Sequence, residues 1–344
     1  MPEFSLKVTQ TLDYERPEIE MGYTDQTLHI DISRAELSVQ PVAQKTKDTF
    51  VGGKGYDLWL LWNAVQADTR WDDPQNAICI ACGPLGGTPI YPGSGKSIVT
   101  TLSPLTQAAI DSNVGGYFGP YLKFSGFDAM QIQGKSTKDQ VIFIDGINRQ
   151  VQILDAGGLP ENAYELSSLL TDHFADGKPR SISVVSAGPG AKNTRIGCLN
   201  FTWFDAKRKR ARYKQAGRGG IGTVFANKGL KAIVVRWDTV TADTNNPADK
   251  VKLKEVAKLH SREIVELDPK QNEMARIGTT HLVTIMNDHD CLPTHNFRYG
   301  SHSEAPNLGQ EVFRRLFDKG FDGCWMGCTC LLYTSDAADE VSPV

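Results

Sequence analysis

Short apolar segments with the length of β-strands recur along the first two thirds of the chain. Each is rich in aliphatic or β-branched residues, and most end at glycine, proline or a polar cluster, as the strands of a sheet do. The segments are Thr27–Ile32, Ala77–Cys82, Ser97–Leu102, Ala129–Gln133, Val141–Ile144, Val151–Leu154, Ile182–Val185 and Lys231–Val235. This pattern predicts a region with much β-sheet.

Helical periodicity lies between some of these segments and again after them. Tyr56–Val65 and Ala163–Phe174 have apolar residues three and four positions apart, which places them on one face of a helix. Beyond a polar stretch, the same periodicity recurs in Lys250–Leu267, Arg276–Met286 and Gln310–Phe317. The chain is therefore predicted to be an α+β protein in which a strand-rich domain precedes an all-α one.

These patterns set the expected domain bounds. We assign residues 22–238 to the strand-rich domain, residues 239–249 to a polar linker and residues 250–329 to a partial helical domain. Residues 1–21 are polar and irregular, which is typical of a tail. Residues 330–344 contain the sequence LLYTSDAADE, which resembles a translated sequencing adapter. We exclude them from the fold prediction and expect natural sequence to end near residue 329.

The composition of the 344 residues excludes some classes of function. A net charge of −3 gives no overall attraction to nucleic acid or to anionic lipid. No apolar run approaches the roughly 18–20 residues of a membrane-spanning helix, and the first residues lack the order of a signal peptide. Seven cysteines, an odd number in a chain of this size, favour reduced thiols. Together these features predict a cytoplasmic protein.

Five glycine-rich segments interrupt the strand-rich domain. Glycine adopts positive φ without steric cost, and successive backbone N–H groups in such loops bind phosphate. A single loop of this kind most often only turns the chain. Five of them, two with a lysine or arginine beside the turn, favour a large anionic ligand. The segments are Gly52–Gly55, Gly83–Gly87, Pro92–Lys96, Gly115–Gly119 and Gly217–Gly222.

Two alternative functions involve the last of these loops. Gly217–Gly222 has the G-x-G-x-x-G pattern of a dinucleotide-binding turn, with Asp238 downstream, which would suit an NAD-dependent dehydrogenase. The basic run Lys207–Lys214 would suit a phosphate- or nucleic-acid-binding module. The same basic run argues against the buried parallel strand that a dinucleotide fold requires before its loop. The acidic overall charge argues against nucleic acid.

Two cysteine pairs have spacings that occur in metal sites. Cys79 and Cys82 lie inside an apolar, strand-like run, so we interpret them as buried core thiols. Cys324 and Cys328 follow a helical pattern and a glycine, and one helical turn apart their sulfur atoms could face one iron–sulfur cluster. Zinc binding and two unrelated thiols are the alternatives for the second pair.

Together these segments resemble the aldehyde ferredoxin oxidoreductase family from about residue 22 to residue 328, and their order and spacing also fit that family. The matching segments are GGKGYDLWLLW, ACGPLGGTPIYPGSGKSIVTTLSPLT, NVGGYFGPYLKFSGFDAMQIQGK and AGRGGIGTVFANKGLKAIVVR. The resemblance implies a first domain of two related β-sheets with helices. These sheets would form the base for a bis-pyranopterin cofactor that holds tungsten or molybdenum.

The resemblance also implies which residues contact the cofactor. Backbone N–H groups, carbonyls and cations are needed around its phosphates and a bridging Mg²⁺. Asn113 and Gln215 would lie on the magnesium side. Lysine stands at positions 96 and 214 where arginine is familiar, which keeps the charge but loses the bidentate geometry. The positions that match the family's contacts are Lys96, Asn113, Gly115, Lys214, Gln215, Gly217 and Arg218.

By the same resemblance, cysteines early in the second domain hold a [4Fe-4S] cluster, commonly as C-x-x-C-x-x-x-C, with a fourth ligand much later. We carry this role to Cys324 and Cys328 and not to Cys330.

The implied reaction of the complete enzyme is the oxidation of an aldehyde to a carboxylic acid, or a related low-potential reduction. Electrons would leave singly through the cluster to ferredoxin or an iron–sulfur electron-transfer subunit. The family's acid–base residues fall beyond residue 329, so this chain alone is expected to be inactive. The sequence leaves open which aldehyde is used, and whether the protein is a homo- or hetero-oligomer.

Overall fold

The computed structural model of the chain describes residues 4–205, 209–271, 273, 277–316, 319–322, 325–326 and 332–335. Two mixed β-sheets and several helices make up most of this part. Each apolar segment predicted as a strand coincides with a strand. The strand-rich part of the prediction is therefore confirmed.

Six strands form the first sheet: β2 Gln26–Asp31, β3 Glu36–Pro41, β4 Ile78–Ala81, β5 Ser97–Leu102, β6 Ala109–Val114 and β7 Ala129–Gln133. Their order is β3-β2-β7-β4-β5-β6. β2 and β7 are parallel, and the other neighbours are antiparallel. The apolar strand β4 is buried along its whole length, as a strand covered on both faces should be.

Seven strands form the second sheet: β1 Ser5–Asp13, β8 Gln140–Asp145, β9 Gln150–Gly157, β10 Ile182–Ser186, β11 Leu199–Asp205, β12 Arg210–Ala216 and β13 Leu230–Arg236. Their order is β1-β9-β8-β13-β10-β11-β12. β8 and β13 are parallel, and the other neighbours are antiparallel.

The two sheets repeat one topology. Strands β8 to β13 take the same places in the second sheet as β2 to β7 in the first, and β1 is added at one edge. The helices recur as well, because α2 (Lys54–Ala64) matches α4 (Ala163–Phe174), and α3 (Phe118–Phe124) matches α5 (Ile221–Asn227). The first half has one further short helix, α1 (Gln44–Phe50). Each half is therefore a β-β-α-β-β-β-α-β unit, which agrees with the expected pair of related sheets.

One large apolar core joins both sheets through α3 and α5. Val99 and Phe201 contribute from the sheets, and Leu122 and Phe225 from the two short helices, all essentially without exposed surface. Smaller clusters lie under α2 and α4. α4 begins where the Asn162 side chain accepts hydrogen bonds from backbone N–H groups of its first turn. Burial of apolar surface, at roughly 25 cal/mol per Å², holds the two halves together.

The expectation of an irregular N-terminal tail was wrong, and the linker prediction is not tested. Residues 5–13 are not an irregular tail, because β1 pairs antiparallel with β9 and the Thr9 hydroxyl donates to the Ile153 carbonyl at 3.0 Å. The linker role of the polar stretch 239–249 stays a prediction, and this stretch packs on the first domain, because Asn245 is fully buried and its side chain donates to the Pro84 carbonyl at 2.9 Å. β1 can be polar because it lies at the edge of its sheet, where pairing needs only backbone groups.

We call the residues beyond 238 the second region. It contains helices α6 Lys250–Gln271, α7 Leu282–Asp288 and α8 Gln310–Leu316, in or beside the segments predicted to be helical. Its described part also contains an antiparallel pair, β14 Lys319–Asp322 and β15 Leu332–Ser335. The all-α description of this region is therefore not confirmed. None of the helices in the described ranges is long and apolar enough to cross a membrane.

Candidate functional site

The free edges of the two sheets meet at β6 and β12. The backbone N–H of Arg218, just after β12, donates to Ser112 Oγ on β6 at 3.3 Å. Ser103 Oγ donates to the Gly219 carbonyl at 2.6 Å. Gly219 has a φ of 66°, and a Cβ atom there would overlap the Ile110 side chain. Only glycine therefore allows the loop after β12 to approach β6 this closely.

The first half of the repeat contributes Lys96, Asn113 and Gly115. Lys96 is exposed and directly precedes β5, and Asn113 is exposed near the end of β6. Because Ser97 pairs with Val114, Lys96 and the buried Gly115 lie at the same end of this hairpin. Gly116 follows with a φ of 114°, and no atom lies within 4 Å of its Cβ position. Both glycines are buried, and free space lies beside the Cα atom of Gly116.

The second half contributes Lys214, Gln215, Gly217 and Arg218. Gln215 is exposed, and its Nε2 donates to Asn200 Oδ1 on the neighbouring strand at 3.4 Å. Lys214 is half-buried and has a contact partner. Gly217 and Arg218 are exposed, and no atom lies within 4 Å of the Cβ position of Gly217. This turn is more exposed than the one after β6, where both glycines are buried.

The repeat makes Asn113 and Gln215 equivalent residues. Each is the penultimate residue of its strand, is exposed, and is followed by a buried residue and then by a glycine. The two residues predicted on the magnesium side thus lie on the two edge strands that meet. Their role as Mg²⁺ ligands stays a prediction.

Charged groups surround this edge. Lys54, at the start of α2, forms an ion pair with Asp111 on β6 at 2.6 Å, which sequence reasoning did not identify. Both side chains are partly exposed, so the pair contributes at most about 1 kcal/mol of stability. Asp57, on the buried side of α2, is different. Burial raises the pKa of its carboxyl group well above the usual value, and nearby Asp111 adds to that shift.

Aromatic side chains continue the site beyond the β6 turn. Tyr117 stacks on Trp203 of β11, with 5.5 Å between ring centroids and 20° between planes, and packs against Trp325 at 4.5 Å. A cavity of about 780 Å³ opens beside these rings, and Arg180 and Asp205 also line it. This volume is within the range of small-molecule sites.

Trp325, which directly follows the predicted cluster ligand Cys324, is anchored on the first domain. Trp325 is buried, and its indole N–H donates to the Thr88 carbonyl at 3.1 Å. Cys324 and Cys328 themselves lie outside the described residues. Within the described ranges, no group of three or more His, Cys, Asp or Glu side chains could hold a metal ion. The cations, amides and glycine turns on both edges instead suit a phosphate-bearing ligand.

Comparison with protein families identifies the chain. A family model described as the N-terminal domain of aldehyde ferredoxin oxidoreductase matches residues 27–237, which is more than half of the chain. The chain belongs to the aldehyde ferredoxin oxidoreductase family. A second model, for domains 2 and 3 of the same family, matches residues 255–339. This match runs past residue 329, and the adapter origin of residues 330–344 stays a prediction.

Individual relatives agree with this family. The tungsten-containing aldehyde ferredoxin oxidoreductase of Pyrococcus horikoshii is 29% identical over 326 residues, covering 94% of this chain and 51% of the relative. The aliphatic sulfonate oxidoreductase WOR-like subunit of Pyrococcus furiosus is 28% identical over 230 residues, covering 62% and 34%. The chain thus spans about half the length of its aldehyde ferredoxin oxidoreductase relatives.

A solved structure supports the fold of the family. The active-site complex BamBC of benzoyl coenzyme A reductase, solved with 1,5-dienoyl-CoA, matches with a TM-score of 0.72 at 21% identity. The match covers 92% of this chain and 49% of that one. The arrangement of two mixed sheets is therefore shared with a known oxidoreductase structure.

The dinucleotide alternative does not fit an aldehyde ferredoxin oxidoreductase domain or this structure. The Gly217–Gly222 loop follows β12, an edge strand with an antiparallel neighbour, whereas a dinucleotide turn follows a parallel strand. The module alternative depends on the basic run, most of which is part of the sheet. Its described part from Arg210 onward lies in β12, and Arg212 is buried, while Lys207 and Arg208 lie outside the described residues.

The first cysteine pair is structural, as predicted. Cys79 and Cys82 are buried and free in the first sheet. Burial raises the pKa of both thiols, so neither is a ready thiolate ligand or nucleophile.

Proposed function

We propose that this chain contributes the cofactor-binding part of a tungsten- or molybdenum-containing bis-pterin oxidoreductase. The complete enzyme would oxidise aldehydes to carboxylic acids, or catalyse a related low-potential reaction, with ferredoxin or an iron–sulfur subunit as electron partner. The names of the tungsten-containing relatives support this proposal. Because the chain spans about half of their length, the activity, substrate and partner all belong to the proposal.

The observation that carries the proposal is the repeated chemistry of the two edges that meet. β6 presents Asn113 and a glycine turn beside Lys96, and β12 presents Gln215 and a glycine turn beside Arg218. In both turns a glycine has no atom within 4 Å of its Cβ position. A ligand with two similar halves, each ending in phosphate, would find equivalent groups on both sides. A bis-pterin cofactor has that form.

The residues of this chain would bind and orient the cofactor. When bound, the metal–pterin group supplies the two-electron redox chemistry. Arg218 would pair with a phosphate through its planar guanidinium, and Lys96 as a compact charge. The side-chain oxygens of Asn113 and Gln215 suit Mg²⁺, a hard cation that prefers oxygen ligands. Backbone N–H groups of the two glycine turns would complete the phosphate contacts.

We further propose Cys324 and Cys328 as two ligands of a [4Fe-4S] cluster. Their spacing equals that of the second and third cysteines in C-x-x-C-x-x-x-C, and Phe321 stands where the first would be. The packing of Trp325 against Tyr117, one residue after Gly116, supports a cluster close to the cofactor turn. This segment would therefore supply two of the three thiolates of the pattern.

Metal analysis of a full-length version of the protein, purified without oxygen, tests the proposal. We expect tungsten or molybdenum together with iron. Arg218→Ala should lower the tungsten or molybdenum content several-fold while leaving iron unchanged. Lys138→Ala, which removes an exposed lysine paired with Asp155 elsewhere, should change neither metal. Protein that lacks both metals and binds NAD would refute the proposal.

Activity assays test the remaining parts. A viologen-coupled screen of aliphatic and aromatic aldehydes on the full-length enzyme should find the substrate. The present chain should give no turnover in the same assay, even after reconstitution with metal and iron. Turnover by this chain alone would show that the acid–base residues lie within it.

A further inference from the structure

Several hydrogen bonds from the second region to the first domain fall on one loop. This is the β4–β5 loop, residues 83–96, which ends at Lys96. Three side chains from beyond residue 238 form hydrogen bonds with it. The bonds are Asn245 Nδ2 to the Pro84 carbonyl at 2.9 Å, His260 Nδ1 with the Tyr91 hydroxyl at 2.6 Å, and Trp325 Nε1 to the Thr88 carbonyl at 3.1 Å.

A buried lysine holds the other side of the same loop. Lys123 on α3 has no exposed surface, and its Nζ donates to the carbonyls of Gly83 at 2.5 Å and Pro84 at 3.2 Å. The Pro84 carbonyl therefore accepts hydrogen bonds from Lys123 and Asn245 at the same time. These two donors come from opposite sides of the domain border.

Burial of the Lys123 ammonium group is costly, so it calls for an explanation. A buried charge needs hydrogen bonds and an opposite charge to offset the loss of water. The buried carboxylate of Asp128 supplies an opposite charge, and its own oxygens accept from the backbone N–H groups of Thr24 and Asp25. An apolar residue would fill the same space at lower cost, but it would leave both loop carbonyls without these donors.

The repeat offers an internal comparison. In the second half, the loop between β10 and β11 is held from α5 by Thr223, whose hydroxyl donates to the Thr194 carbonyl at 2.9 Å and accepts from the Gly197 N–H at 3.1 Å. That contact uses a neutral hydroxyl from the third residue of α5, whereas Lys123 is the sixth residue of α3. The charged clamp lies on the equivalent loop that also contacts the second region.

We propose that Lys123 and Asn245 form a joint at the Pro84 carbonyl, which couples docking of the second region to the position of the β4–β5 loop. Both are positioning residues, since they act through the loop backbone. Loosening the joint from either side should release the loop and the opposite segment together. Only the consequence for Lys96 as a cofactor contact rests on the proposed function.

Hydrogen exchange of the whole chain, read by mass spectrometry, tests the joint. Lys123→Met should speed exchange roughly tenfold both in residues 85–96 and in the linker around Asn245, as expected when buried carbonyls lose a donor. Lys228→Met is the matched control, because Lys228 is equally buried and donates to the carbonyls of Pro74 and Gly134 away from this loop. It should leave both segments unchanged.

A milder pair of variants keeps the test decisive if Lys123→Met does not fold. Asn245→Ala should speed exchange in residues 85–96. Asn246→Ala, which removes a similar hydrogen bond from the adjacent side chain to the Ile19 carbonyl, should not. If Asn245→Ala leaves the loop as protected as Asn246→Ala does, the joint is refuted.

Pyrophosphate binding separates this inference from the proposed function. In low salt, Lys96→Ala should weaken pyrophosphate binding measured by calorimetry, and Asn245→Ala should weaken it less. If Lys96→Ala has no effect, the cofactor surface is refuted, whereas the exchange experiment still decides whether the joint exists.

Discussion

At the scale of single residues, Asp57 is an unusual group in an apolar place. It is fully buried between α2 and the first sheet, and neither carboxyl oxygen has a well-formed hydrogen bond within the described ranges. Burial raises the pKa of this carboxyl well above its usual value, with partial relief from the Ala81 N–H and the Thr100 hydroxyl. Below the unfolded pKa of about 4 the carboxyl is protonated in both states, so its ionisation costs no stability. As the pH rises from there toward the folded-state pKa, the free energy of unfolding falls.

We expect Asp57→Asn to increase the free energy of unfolding at neutral pH. The gain should be on the order of 1 kcal/mol, the usual scale for a substitution that removes an unpaired buried charge. It should shrink as pH falls toward 4, where the carboxyl is protonated in both states. Urea unfolding between pH 4 and 8 measures this, with the exposed Asp68→Asn as control. An equal gain at both ends of the pH range would contradict the explanation.

Lys228 has the opposite dependence on pH. It is almost fully buried, and burial lowers the pKa of its ammonium group to about 7. The folded state therefore binds fewer protons than the unfolded state between pH 7 and about 10.5. The free energy of unfolding rises over that window, and the full cost of burying the charged ammonium group is present below pH 7. Lys228→Met should flatten the rise in unfolding free energy between pH 7 and 9. Parallel pH profiles for both proteins would contradict this.

The sequence predicts residue-level features well where they depend on local backbone conformation. Gly116 and Gly219 adopt positive φ in two of the loops that the sequence predicts from their glycines. Contacts between distant residues could not be predicted in this way. Nothing near Lys123 in the sequence indicates a clamp on Pro84, because the pairing depends on how α3 packs in the finished fold.

At the scale of elements, the strands that the sequence missed are mostly edge strands. β1, β3, β6 and β12 are each at or beside solvent and have many polar positions, so apolar patterning does not identify them. The central strands, such as β4, are apolar throughout and were predicted. The candidate site lies on β6 and β12. Its residues are therefore predicted from family motifs and not from apolar patterning. The fold shows that the two strands that bear most of them lie next to each other.

Contact between these two edges should depend on one glycine. Gly219→Val would introduce a side chain into the space of Ile110 at a residue with positive φ, so we expect a loss of about 1–3 kcal/mol of stability. Gly217→Ala should change stability little, because its Cβ position is open. Urea unfolding of both variants measures the difference. Equal stability of the two variants would show that the loop is not packed on β6 as described.

At the scale of the whole molecule, the repeat explains how two sheets share one core. Among the described residues, Trp325 is the only member of the fully buried part of that core from beyond residue 238. The first domain thus completes its core almost entirely from its own sequence. The family model for the N-terminal domain has nearly the same bounds, residues 27–237. Its stability should therefore depend little on the second region.

We expect a chain of residues 1–238 to fold by itself and to unfold in one cooperative transition, because both sheets and the helices between them lie within it. Circular dichroism and urea unfolding would show this. Removing Asn245, His260 and Trp325 should speed hydrogen exchange chiefly in the β4–β5 loop, since their hydrogen bonds converge there. Loss of cooperative unfolding, or faster exchange throughout both sheets, would mean that the second region is part of the core and not a region docked on it.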